Sequence, residues 1–218
     1  MSFVKLKNKF QPVPFTPVAG FESFAGKYGL GVQHNNVWIP DVEREKLMSV
    51  IPERFRHDFQ LTRMAINTLL LPHVDNDFLC TINFYFQPND YRTIFFEARP
   101  DAKCWKTEEK QSQDLGVIVE TTMTPDEIKN SVKEFVEDRR NMPTIEEITY
   151  VDAVYGFDDV YETGSFVAEP CDAYLLDITK LHNVEPLGEV KMRKALALRS
   201  HNYTYQQVYD MLVETGNL

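Results

Sequence analysis

From Thr62 onward the chain breaks into many short runs of β-branched and aromatic residues with brief polar interruptions, and this spacing narrows the possible folds most. The runs predict strands over 63–71, 73–77, 79–87 and 92–98, then over 115–121, 146–154, 164–168, 173–178 and 192–201. Strands this numerous and evenly scattered do not fit a βαβ series, whose helical crossovers need a dozen or more residues each. An antiparallel jelly roll with helices packed on one side fits best, so the expected class is mainly β with flanking helices (α+β).

Three helices are expected around that core. Pro40 to Ile51 reads as one, with Asp41 as its N-cap and Val42, Leu47 and Ile51 on its apolar face. Thr124-Pro125-Asp126-Glu127 combines an N-cap, proline at the first helical position and a capping box, opening a helix over 125–142. Thr204 and Gln207 repeat the capping-box spacing ahead of a short closing helix that turns Val208, Met211 and Leu212 to one side. Between Lys9 and Pro40, repeated Pro and Gly disfavour long helices and predict an extended segment wrapping the core.

A chain of 218 residues, 43% of them hydrophobic, is long enough for one sizeable core, so a single domain over 1–218 is expected. Its parts are an N-terminal extended segment and helix (1–61), a β core (62–203) with the 125–142 helix inserted, and a C-terminal helical segment (204–218). No apolar run reaches the roughly 18 residues of a membrane span, and none of signal-peptide length follows Met1, so a cytoplasmic address is the default. Cys80, Cys104 and Cys171 are odd in number and lack CxxC spacing, which predicts reduced thiols. A net charge of −10 argues against phosphate-backbone binding. Lys5, Lys7 and Lys9 form the one dense basic stretch, read as a mobile charged terminus.

The strongest chemical signal is Leu69-Leu-Leu-Pro-His73-Val74-Asp75-Asn-Asp77. In extended chain, residues two apart point the same way, so His73 and Asp75 can converge on one ion. Imidazole plus carboxylate, joined by a second histidine from elsewhere, makes the facial triad suited to ferrous iron, with coordination sites left open. About a hundred residues later, a turn containing Pro170 and Asp172 opens an apolar run, Ala173 to Ile178, and a loop after it can aim His182 back at the mouth of the core. His201 is a rival third ligand, and Asp77 a rival to Asp75. Arg193 and Arg199 lie six residues apart on the last predicted strand and share a face with Ala195 and Ala197. A guanidinium in a mostly apolar strand requires a carboxylate partner, either an acidic side chain or a bound dicarboxylate.

The order His-x-Asp, a long gap, then His followed about ten residues later by a strand Arg resembles the Fe(II)/2-oxoglutarate-dependent oxygenase superfamily, over roughly 62–203. The stretches Pro72-His73-Val-Asp75 to Cys80-Thr-Ile-Asn83-Phe-Tyr85-Phe and Asp172 to Val184 look like the first and last thirds of that family's barrel. Prolyl-hydroxylase-like and phage-type members are closest in flavour. The resemblance implies a cupin-like double-stranded β-helix, with His73, Asp75 and His182 as iron ligands and Arg193 as partner of the distal carboxylate of 2-oxoglutarate. Arg199 matches a second strand arginine of the nucleic-acid demethylase branch, and Asn83, Tyr85 or both are candidates to hydrogen-bond the co-substrate. Cys171-Asp172 stands where many relatives carry Gly-Asp.

The activity implied is hydroxylation with molecular oxygen, releasing succinate and CO2, on a peptide side chain or small metabolite. The segment Ala98 to Gly116, irregular by pattern and carrying Arg99, Lys103, Trp105, Lys106 and Lys110, is a candidate lid or substrate loop. Two other readings remain. A non-catalytic cupin-like binding module predicts no turnover of the keto acid, and a zinc hydrolase predicts activity without oxygen or keto acid.

Overall fold

In a computed structural model, residues 1–26, 29–66, 69–75, 78–87, 90–108, 116–117, 151–188 and 192–218 are described, with 17–36, 69, 104–108, 116–117 and 151–153 described by their backbone. The predicted helix at 125–142 lies outside these residues, as does Asp77. The described chain is mainly β. Its strands are β1 (Phe3–Lys5), β2 (Thr16–Gly26), β3 (Gly29–Trp38), β4 (Gln60–Ile66), β5 (Leu69–Leu70), β6 (His73–Val74), β7 (Cys80–Tyr85), β8 (Tyr91–Ala98) and β9 (Cys104–Glu108). Then come β10 (Gly116–Val117), β11 (Val151–Tyr155), β12 (Val160–Phe166), β13 (Asp172–Leu176), β14 (His182–Pro186) and β15 (Arg193–Ser200). Helix α1 (Asp41–Met48) separates β3 from β4, and α2 (Tyr205–Glu214) follows β15. Among the described residues, no helix is long and apolar enough to cross a membrane.

Two large antiparallel sheets result. One has seven strands in the order β1-β13-β7-β15-β4-β3-β2, the other six in the order β12-β8-β14-β6-β11-β9, while β5 and β10 pair separately. The period-two alternation of β7, β13 and β15 gives the first sheet two working faces. Ile82, Phe84, Ala173, Leu175, Leu196 and Leu198 point to one side, where Leu47 and Met48 of α1 and Val208, Met211 and Leu212 of α2 cover them. Tyr85, Tyr174, Leu176 and Ala195 point to the other and pack with Phe95 of the second sheet. The helices therefore lie on one side of a β-sandwich, and the polar residues of its inner face have nowhere to go but between the sheets. Each large apolar side chain buried beneath the helices contributes on the order of 1.5–3 kcal/mol.

Several local expectations are corrected. Val42 is exposed, and Pro40 rather than Asp41 occupies the N-cap of α1, making no side-chain cap bond. The wrapping segment at 9–40 is in large part the β2–β3 hairpin, which extends the seven-stranded sheet beyond β4. In the 98–116 stretch, Cys104–Glu108 is not irregular but pairs with β11 as an edge strand. Nor is the basic N-terminal stretch a free tail: β1 pairs with β13, and Lys5 and Lys9 reach the buried Asp172 carboxylate at 2.8 and 2.5 Å. The closing helix has the expected capping box between Thr204 and Gln207.

Candidate metal centre

Pro72 ends the apolar Leu69–Leu71 run, and the chain enters β6, a two-residue strand held from both sides. His73 pairs in register with Val154 of β11 and with His182 of β14, so the two histidines are direct cross-strand neighbours. Antiparallel pairing brings opposed Cα atoms to roughly 4.5–5.5 Å, and here the ring centroids are 4.6 Å apart. Asp75 lies just past β6. Its amide donates to the Ile178 carbonyl at 3.1 Å, which turns the carboxylate toward both rings. Asp75 Oδ1 is 3.4 Å from His73 Nε2, and Oδ2 is 3.9 Å from His182 Nε2. One ligand atom from each of the three side chains lies within 4.8 Å of the other two.

The protonation pattern follows from the backbone. His73 Nδ1 donates to the Leu71 carbonyl at 2.7 Å, and His182 Nδ1 donates to the Lys180 carbonyl at 2.9 Å. A carbonyl can only accept, so each Nδ1 carries a proton and Nε2 is the ring atom left to face Asp75. Burial lowers the His182 pKa to about 4, reinforced by His73 and opposed by Asp75 and the Lys180 carbonyl. At neutral pH this imidazole is uncharged, the form that ligates a metal. Two Nε2 atoms and a carboxylate thus converge, a donor set that one cation can share. The rings are buried while the Asp75 side chain is 38% exposed, so the centre opens on its carboxylate side.

Two residues along β8 from the row of His182, the interior turns polar. Phe95 pairs with His182 and its ring stacks on the imidazole; Thr93 pairs with Val184, about 7 Å farther along by strand rise. Arg193, from the opposite sheet, reaches this depth. Its Nη2 donates to the Tyr85 hydroxyl at 2.7 Å and to Thr93 Oγ1 at 3.1 Å. Arg193 is 4% exposed, and its Nε and Nη1 find no hydrogen-bond partner among the described residues. A buried N–H without a partner costs about 1–3 kcal/mol, more in a charged group, so an acceptor reaching these two groups would be stabilising.

The other sequence candidates separate. Asn83 donates from Nδ2 to the Tyr85 hydroxyl at 3.3 Å and is itself held by the Thr81 hydroxyl at 2.9 Å, forming a polar ladder along the inner face of β7. Arg199 lies beyond that ladder, its guanidinium 4.0 Å from the Phe78 ring centroid. His201 is exposed and stacked on Phe78, and it is not part of the triad. Sequence reasoning missed Thr93, although a lone hydroxyl between Tyr91 and Phe95 on one face of an apolar strand was a usable signal. It also placed His182 on a loop, whereas His182 opens β14. Comparison with models of protein families and with curated protein sequences finds no match.

Proposed function

We propose that the two sheets are the walls of a double-stranded β-helix and that the protein is an Fe(II)- and 2-oxoglutarate-dependent oxygenase. The observation that carries this reading is the pairing of a His73–Asp75–His182 cluster with an incompletely partnered guanidinium farther along the same interior. The donor set fits ferrous iron: two neutral imidazoles and a carboxylate grouped on one side of a centre leave the opposite side for exchangeable ligands. The orphaned N–H groups of Arg193 fit a carboxylate, which a forked guanidinium holds in two places.

When bound together, ferrous iron and 2-oxoglutarate supply the activation of oxygen, with oxidative decarboxylation to succinate and CO2 and hydroxylation of a C–H bond in a peptide side chain or small metabolite. The protein's own part is positional and electrostatic. His73, Asp75 and His182 would hold the metal, with the imidazoles fixed in rotation by the Leu71 and Lys180 carbonyls. Arg193 would neutralise the distal carboxylate of the keto acid. Tyr85, already accepting from Arg193 and Asn83, has its own proton free to donate to the same carboxylate. Phe95, Leu176 and Ile178 exclude water from the space between.

The test is anaerobic titration with Fe(II), followed by aerobic assay of 2-oxoglutarate turnover without added substrate. Stoichiometric iron binding and slow, iron-dependent succinate release are expected. Absence of both under iron-replete conditions would remove the proposal.

A further inference from the structure

Strands β12, β8, β14 and β6 oppose Gly164, Phe95, His182 and His73 in a single cross-strand row, which runs from the edge of the six-stranded sheet to the metal centre. Gly164 leaves its place in that row bare, and the ring of Phe3, from β1 at the edge of the other sheet, fills it. A methyl group on Gly164 would lie 3.3 Å from Phe3 Cε1, the close approach that glycine in a strand permits. Phe3 stacks on Phe95 with centroids 5.4 Å apart at 20°, and Phe95 stacks on His182 at 5.8 Å and 30°. His182 then meets His73 at 4.6 Å and 45°, so a file of aromatic rings links the N-terminal strand to the ligand pair.

The segment that carries Phe3 is tied down along its length. Lys5 and Lys9 meet the buried Asp172, and the amides of Leu6 and Lys7 donate to the Ala173 and Asn217 carbonyls, each at 2.9 Å. The Ser2 carbonyl accepts from the Asp177 amide at 2.9 Å. That last bond reaches the centre by a second route, because Ile178, the next residue, supplies the carbonyl that holds the Asp75 amide. Docked β1 therefore bears on two of the three ligands, on His182 through Phe95 and on Asp75 through the turn at Asp177 and Ile178.

We infer that Phe3 is a positioning residue of the metal centre, acting through Phe95 on the plane of His182. The Lys180 carbonyl holds one ring atom of that imidazole, and a single hydrogen bond leaves the ring free to tilt; the face of Phe95 removes that freedom. Phe95, 1% exposed, keeps its own setting because Phe3 covers it from the edge. Without a ring at position 3 the gap between the sheets opens beside Phe95, which gains room to turn, and His182 loses a wall. Contacts that orient a ligand from behind typically change metal affinity by roughly 10–100-fold. The inference rests on the reading of His73, Asp75 and His182 as metal ligands, and on neither keto acid nor oxygen.

The experiment titrates Co(II), an air-stable stand-in for ferrous iron at nitrogen and carboxylate ligands, into the full chain. Calorimetry gives the affinity and visible absorption reports the geometry around the metal. Val4→Ala is the control, because Val4 packs on the helix-covered face of the same strand. Phe3→Ala is expected to raise the Kd for Co(II) about tenfold and to alter the absorption bands, whereas Val4→Ala should lower the melting temperature and keep the Kd within about twofold of wild type. Unchanged affinity and absorption in Phe3→Ala overturn the inference, as does an equal loss in both variants, which would mark a general loosening of β1. If Phe3→Ala fails to fold, Phe3→Leu decides, since it fills the edge without offering a flat face: a several-fold weaker site supports the role and an unchanged one overturns it. Absence of Co(II) binding by the wild type would instead remove the ligand reading, and this inference with it.

Discussion

The imidazoles of His73 and His182 face one another across β6 and β14 as a single cross-strand pair, each with its Nδ1 proton committed to the carbonyl two residues before it. Their Nε2 atoms are thereby directed at Asp75, so the three groups form one cluster. His73→Ala or Asp75→Ala should abolish stoichiometric Fe(II) binding and succinate formation while leaving the far-ultraviolet circular dichroism unchanged. Wild-type turnover in either variant would remove that residue from the ligand set.

Arg193 should separate stability from co-substrate binding. Arg193→Met removes a buried charge whose partners are incomplete, so without keto acid the variant should melt at or above the wild-type temperature. Saturating 2-oxoglutarate should then stabilise the iron-loaded wild type, by about 2.7 kcal/mol at a hundredfold excess over Kd, and leave the variant unmoved. Thermal scans with and without keto acid decide the matter, and an equal shift in both proteins would dissociate Arg193 from the ligand.

Thr93 should affect affinity more than rate. Thr93→Val is close in shape but removes the oxygen that accepts from Arg193, loosening the guanidinium without touching the metal. The KM for 2-oxoglutarate should rise roughly tenfold, corresponding to about 1.4 kcal/mol, with kcat little changed. A fall in kcat at constant KM would instead place Thr93 in a different role.

Cys171 has φ of 70°, the left-handed region where a Cβ is strained, and its carbonyl and amide bond Phe10 and Tyr85. Cys171→Gly should stabilise the protein by about 0.5–1 kcal/mol, or roughly 1–4 °C in melting temperature. Cys171→Val should destabilise by a similar amount. The order Gly, Cys, Val in urea midpoints is the check.

The next residue predicts an acid-sensitive linkage. Burial alone would raise the Asp172 pKa, but Lys5, Lys9 and the Glu169 amide overcome it and hold the carboxylate below its usual 3.8. A depressed folded pKa gives stability that is full above the unfolded value and is lost as pH falls through the folded one. Asp172→Asn should therefore be less stable than wild type near pH 7, with the gap closing below about pH 4. A constant gap across an acid titration of urea midpoints would refute the linkage.

The sequence made the inward faces readable and left the meetings between distant strands obscure. Arg193, Ala195 and Ala197 were assigned one face by period two, and β15 has that alternation because Leu196 and Leu198 lie under the helices. His182-Asn-Val-Glu-Pro186, by contrast, has little strand character of its own. It becomes β14 through its ladder with β8, about ninety residues away in sequence, which no local pattern encodes. Asp75 also joins His73 for a reason other than the one alternation supplies: β6 ends at Val74, and a hydrogen bond to Ile178 aims the carboxylate. The Arg193–Thr93 contact crosses from one sheet to the other and stayed hidden for the same reason.

Because Leu71 and Lys180 brace the two imidazoles through peptide oxygens, the side chains at those two positions take no part in orienting the rings. Evolution can exchange the exposed Lys180 freely, and Leu71 for any apolar residue that fills its buried site, provided the strand paths persist, so the chemistry of this centre can outlast much of the lettering around it.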